Sequence, residues 1–410
     1  MFKLKRQKFL FALTFLSIVS MDTFAAAQSH YLIAKRCLTD RLTSQAEKLA
    51  STQDFVLLKA TDAVRDELIA AKADRTKLCG GFIDVSHEWL MKRKVKRSAA
   101  QAEAFLLEQI GSDKMAESNA TSSYAVRYEK QVETILKNLN PQNMWADLTK
   151  LTNFQDRYAN SGTGNEAAQW IKTTVADMAK LANRDDVTLW EVPTGGYSQP
   201  SIVAKIGKGD ESGVVIGGHM DTLRGTSYNK KPGADDDGTG SVTVLETARI
   251  LIQSDMRFKK PIYVIWYAAE EMGLVGSSYV VRDFKKKAIP VDAVMQLDMT
   301  GFAYKNEPTM WLLSDYVNAD LTTYLEKLIT TYVKKEVKYT RCGYGCSDHA
   351  SWHKYGFKAA APFEAKFGQE NHYIHTSNDT MDHLSLDHMT DYAKLAVAFA
   401  VEMAEPVSKA

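Results

Sequence analysis

The sequence predicts an α/β fold: a mostly parallel central sheet with helices on both faces. Three observations carry that expectation. Residues 213–218, 261–269, 293–297 and 309–313 are short apolar runs without polar alternation, as strands covered on both faces are. Helical patterns lie between and after them, at residues 240–252, 321–333 and 388–404, so strands and helices alternate along the chain. Several of the apolar runs also end in His, Asp or Glu, and ligands in such sheets bind beyond the carboxyl ends of the strands.

Each element follows from its residues. The 213–218 run is G-V-V-I-G-G and continues into His219-Met220-Asp221. Residues 261–269 read P-I-Y-V-I-W-Y-A-A and continue into Glu270-Glu271. The third run ends Gln296-Leu297-Asp298. An acidic loop, Pro232-Gly233-Ala234-Asp235-Asp236-Asp237-Gly238, precedes the first of these helices, and Tyr373-Ile374-His375-Thr376 precedes the last.

A chain of 410 residues is long for one domain, and its front differs from its remainder. Lys3, Lys5, Arg6 and Lys8 precede an apolar stretch at residues 9–19, and Ala25-Ala26-Ala27 offers small residues for cleavage. That is a signal peptide over residues 1–27: the stretch is too short to span a bilayer, so export and a secreted protein are expected. Residues 28–125 are rich in Ala, Leu, Lys, Glu and Gln and read as a small, mainly helical unit. Its basic run at residues 92–97 is a solvated face or a processing site, and the polar, small residues 112–123 form a linker. Residues 126–410 make up the remaining domain.

The whole chain has a formal net charge of +1, which gives no drive toward nucleic acid or, after signal removal, toward a membrane. In an exported chain the four cysteines suggest disulfides, most simply Cys37 with Cys79 and Cys342 with Cys346. The absence of C-x-x-C spacing disfavours a four-cysteine zinc site.

Singly, the polar strand ends have ordinary structural readings. Together, carboxylates concentrated against apolar strands require compensation, and metal cations are its simplest source. Imidazole plus carboxylate is a zinc-type ligand set, and the Asp235–Asp237 run lacks the alternating spacing of an EF-hand loop. In order, G-G-H-M-D, P-G-A-D-D-D-G-T-G, A-A-E-E-M-G-L-V-G-S, Q-L-D-M-T, C-G-Y-G-C-S-D-H-A-S-W-H and I-H-T resemble the secreted bacterial leucyl aminopeptidases with two co-catalytic zinc ions. The resemblance spans about residues 130–405 and implies a zinc-exopeptidase, phosphorylase/hydrolase-like fold. It also implies that residues 28–125 are a cleavable, partly inhibitory prosegment removed by a processing protease.

Carried over residue by residue, the resemblance makes Asp235 the bridge between two Zn²⁺. His219 and Asp298 complete one position, and Glu271 and His375 the other. Glu270 is then the general base, and Asp221 the carboxylate that orients His219. A cis peptide is expected between Asp235 and Asp236. His349 and His353 have i, i+4 spacing but match non-ligand positions, Ala350 replacing the glutamate of an H-E-x-x-H site. His372 is a decoy three residues before His375.

The implied substrates are peptide or protein N-termini, acted on by a monomeric enzyme. Tyr344, between Cys342 and Cys346, matches the family's apolar pocket together with Met299, Phe363, Phe367 and Ile374, and that pocket favours Leu-like residues. Ala361 and Glu370 depart from the relatives, the first toward a smaller side chain and the second toward a carboxylate. Acceptance of Lys or Arg, or selectivity for them, is the alternative. Another metallo-exopeptidase or amidohydrolase of this scaffold is a further one, such as a carboxypeptidase or glutaminyl cyclase. A carboxypeptidase needs a cation for the substrate carboxylate, and no Arg lies within the motifs. A binding protein on a dead peptidase scaffold normally lacks ligands that are all present here.

Overall fold

The computed structural model describes residues 29–73, 79–92, 98–111, 124–307 and 309–407. The signal segment, most of the basic run and the linker fall outside those residues. The N-terminal unit corrects the mainly helical expectation, because a four-stranded antiparallel sheet lies at its centre. Its strands are β1 (His30–Lys35), β2 (Glu47–Ser51), β3 (Phe55–Ala60) and, beyond the helix α1 (Asp62–Ala73), β4 (Phe82–Asp84), in the order β2-β3-β1-β4. Leu32 and Ala34 of β1 pack with Val64 and Leu68 of α1, whereas the alternating Tyr31 and Ile33 pack with Trp89 and Phe105. Period-two alternation in short strands is diluted when composition is averaged across the flanking Ala-rich helices.

The larger unit is organised by a six-stranded sheet. Its strands are β5 (Val187–Thr194), β6 (Tyr197–Ile206), β7 (Gly213–His219), β8 (Ile262–Tyr267), β9 (Val291–Gln296) and the short β12 (Ala359–Ala360). The spatial order is β12-β9-β7-β8-β6-β5. Strands β12, β9, β7 and β8 are mutually parallel, and β6 and β5 extend that set as an antiparallel pair. A separate sheet places β11 (Val337–Thr340) and β13 (Pro362–Phe363) on either side of β10 (Met310–Leu313).

Both faces are covered, which accounts for the unbroken apolar runs. Val214 and Ile216 of β7 and Val264 and Trp266 of β8 meet three helices, α2 (Gly162–Leu181), α3 (Gly240–Gln253) and α5 (Leu386–Ala404). Val215, Tyr263, Ile265 and Tyr267 point the other way, against α4 (Val275–Lys286) and Trp352. Among the described residues no helix is long and apolar enough to cross a membrane.

Candidate metal centre

The carboxyl ends of three adjacent parallel strands bring the candidate residues together. His219 closes β7, Glu270 and Glu271 follow β8, and Asp298 follows β9. Loops before α3 and α5 supply Asp236 and His375. His219 Nε2 lies 3.1 Å from Asp236 Oδ1 and 3.6 Å from Asp298 Oδ1. His375 Nε2 lies 2.9 Å from Asp236 Oδ2 and 3.2 Å from Glu271 Oε2. Two groups able to hold an ion therefore form, His219–Asp236–Asp298 and Asp236–Glu271–His375, with Asp236 common to both.

The position between the histidines belongs to Asp236, which corrects the expectation of Asp235. Three consecutive aspartates look alike in sequence, but their partners differ. Asp235 Oδ1 accepts from the Gly301 N–H and the Thr239 hydroxyl. Asp237 accepts from the His219 and Met299 N–H groups and caps α3 through the Gly240 N–H. Only the Asp236 side chain faces both histidines, one oxygen toward each. The cis peptide is likewise one bond further along, between Asp236 and Asp237.

Other residues hold this arrangement in place. Asp221 accepts from the Glu270 and Glu271 N–H groups at 2.9 and 3.2 Å and lies 3.4 Å from His219 Nδ1. Asp379 clamps the acidic loop by accepting from the Asp235 and Asp236 N–H groups at 3.0 and 3.1 Å. Buried Arg157 donates to the carbonyls of Met220 and Gly233, bringing positive charge behind the aspartates. Close approach also dictates glycine at 240, where a Cβ would sit 2.3 Å from both Asp237 Oδ1 and the Leu297 carbonyl. Ala269, Met299 and His375 have positive φ although none is glycine, and such strained residues cluster at functional sites.

The electrostatics are those of crowded, buried charge. Burial works against charging His375, but Glu271 and Asp236 raise its pKa to about 9. Burial also opposes ionisation of Asp236, yet His375 and His219 hold it well below the usual carboxylate range. Glu270 is pushed well above that range by burial, against the nearby Lys72 charge. Both ring nitrogens of His219, Nδ1 of His375 and Oδ1 of Asp298 are buried without a well-formed hydrogen bond. Orphaned polar atoms of this kind cost ~1–3 kcal/mol each unless satisfied. A divalent cation in the first group would satisfy His219 Nε2 and Asp298 Oδ1, and mixed imidazole and carboxylate donors fit zinc in both groups. The residues present therefore fit the metal.

Beside this centre lies a cavity lined by Met299, Tyr344, Cys346, Phe363, Phe367 and Ile374, with Ala361 and Glu370 also on its wall. Cys342 belongs to the same apolar cluster but not to the cavity lining, and it is disulfide-bonded to Cys346. Glu370 does not point into solvent: it is 1% exposed, and its carboxylate accepts from the Gly368 N–H. His372 is exposed and His349 is buried, and neither joins a ligand group.

The expected Cys37–Cys79 disulfide is absent. Both are free thiols, with Cys37 Sγ directed at the Cys79 carbonyl at 3.6 Å. Burial and the neighbouring Cys79 raise the Cys37 thiol to about 11, so it stays protonated. The N-terminal unit also reaches the centre, where Lys72 Nζ lies 3.0 Å from Glu271 Oε2 and 3.7 Å from Glu270 Oε2.

The doubly covered α/β sheet with histidine and carboxylate ligand groups at its strand ends is that of a metallohydrolase, and its relatives make it a metallo-aminopeptidase. The chain belongs to peptidase family M28, whose model matches residues 201–400. It is similar to leucine aminopeptidase 1 of Neurospora crassa, at 38% identity over 287 residues, which are 67% of this chain and 71% of that protein. It is also similar to the crystal structure of the Legionella pneumophila LapA aminopeptidase, with 41% identity and a TM-score of 0.84 over 92% of this chain and 99% of that one. LapB of the same organism matches with 37% identity and a TM-score of 0.82, over 92% and 100%. A share of 92% exceeds the larger unit alone, so both structures have a counterpart of the N-terminal unit.

Proposed function

We propose that this chain is an exported aminopeptidase with two zinc ions, one in each ligand group, that removes N-terminal residues with Leu-like side chains. The observation that carries it is the sharing of Asp236 between the two groups, with Glu270 beside the second. When bound, zinc polarises a substrate carbonyl and lowers the pKa of water. Glu270, buried beside the second group, takes the proton of the attacking water and returns it to the leaving amine. Asp221 orients the His219 ring through Nδ1 and the glutamate pair through its backbone. The free α-amine of the substrate would dock at the metal centre beside the ligand carboxylates Asp236, Glu271 and Asp298, as the resemblance implies, which fits an exopeptidase. Among the described residues the only Lys or Arg lining the cavity is Lys72, from the N-terminal unit, so a carboxypeptidase would find no cation in the larger unit.

Residues 1–27 act as the export signal, and residues 28–125 as a prosegment that restrains the enzyme until a protease removes it. The mature enzyme works as a monomer. Side-chain preference follows from the cavity. Met299, Phe363, Phe367 and Ile374 suit Leu, while Ala361 leaves volume and the Glu370 carboxylate offers a partner for Lys or Arg. Comparison of Leu, Lys and Arg anilides on the wild type and on Glu370→Gln tests this reading. The Lys-to-Leu ratio of kcat/KM is expected to fall roughly tenfold or more, the worth of a lost buried charge-assisted hydrogen bond. An unchanged ratio removes Glu370 from substrate recognition and leaves a Leu-type enzyme.

A further inference from the structure

The N-terminal unit brings one lysine, Lys72, to the metal centre. It is anchored where the Asp84 N–H donates to the Gly273 carbonyl at 3.0 Å, two residues beyond Glu271. A Cβ at Gly273, where φ is +97°, would lie 2.7 Å from Asp84 N, so the two units approach with no room for a side chain. Glu88 adds a second anchor on Lys354 at 3.0 Å and Arg282 at 3.7 Å. Gly80 and Gly81 lie on the Tyr344 ring, a Cβ at Gly80 meeting it at 2.8 Å, so this segment covers the aromatic wall of the cavity.

Between these contacts the last turn of α1 projects Lys72 inward. Its side chain is 16% exposed, while Glu270 and Glu271 are 5% and 2% exposed. A surface ion pair contributes little, but a cation among buried carboxylates replaces charge that they otherwise lack. The partners are also specific: one is the proposed base, and the other is a candidate ligand whose Oε2 His375 also touches. Lys72 is thus the only described Lys or Arg that makes ion pairs with both glutamates.

We propose that Lys72 is an internal stand-in cation: while the N-terminal unit is docked, its ammonium holds Glu271 and Glu270, opposing zinc at the His375 position and covering the base. The inference rests on the proposed prosegment role and names the residue that performs it. The His219–Asp298 position, out of reach of Lys72, fills without hindrance. Displacement of the unit withdraws the ammonium, completes the second position and frees Glu270 in a single movement.

Zinc titration of the chain lacking only residues 1–27, read by calorimetry and by competition with a chelating dye, tests this directly. Lys72→Met and Lys72→Gln are expected to bind the weaker zinc about tenfold or more tightly than wild type, with the tighter zinc unchanged. Lys72→Arg, which keeps a cation, is expected to stay near wild type. Leu anilide turnover at limiting zinc should rise in the first two variants and not in the third. Wild-type affinity for the weaker zinc in both neutral variants overturns the proposal. If zinc affinities shift as expected but no form of the protein hydrolyses aminoacyl anilides, the aminopeptidase reading fails and the Lys72 assignment stands.

Discussion

Glu270→Gln is expected to retain the fold and full zinc content while kcat falls by roughly 10²–10⁴, the usual worth of a general base. The amide has nearly the same shape, and the Glu270 contact with Asp221 is made by its backbone N–H, which the substitution leaves in place. Neither ligand group includes Glu270, so metal content should not change. What is lost is a carboxylate able to take a proton, and the loss should fall on kcat rather than KM. Steady-state kinetics on Leu anilide, with zinc measured on the same sample, checks this. Near-wild-type turnover at full occupancy would remove Glu270 from the chemistry.

The second large effect separates two neighbours. Asp236→Asn should weaken metal binding by more than about 100-fold, beyond the ~10–100-fold typical of residues that only support ligands. It removes the one charge placed between His219 and His375, so both positions suffer together. Asp235→Asn should keep both metals and stay within about tenfold of wild-type turnover, because an amide oxygen can still accept from Gly301 and Thr239. Zinc content and kcat/KM of the two variants, measured side by side, decide the matter. The opposite ranking would return the bridging role to Asp235.

How far the site could be read in advance depended on the kind of signal each residue leaves. His219, Glu270, Glu271 and Asp298 announce themselves as polar groups at the ends of apolar strands, and the structure places all but Glu270 in the two ligand groups, with Glu270 next to Glu271. Choice within the aspartate run was beyond sequence, because only tertiary partners distinguish Asp235 from Asp236 and Asp237. Asp379 and Arg157 act through backbone groups far away in the chain and leave no local pattern. Lys72, within an Ala-rich, charged helix, looks like any solvated lysine until the fold carries it to Glu271. The β5–β6 pair extends an otherwise parallel sheet as an antiparallel edge, an arrangement the alternation of strands and helices did not foretell.

Metal content and Leu anilide hydrolysis, followed together through chelation and zinc restoration, test the central claim most directly. The measurement is made on the chain lacking residues 1–27, before and after proteolytic removal of its N-terminal unit. Hydrolysis should disappear as zinc is withdrawn and return as two zinc ions per chain are restored, with higher turnover once the unit is gone. Undiminished hydrolysis by protein stripped of metal would contradict the account.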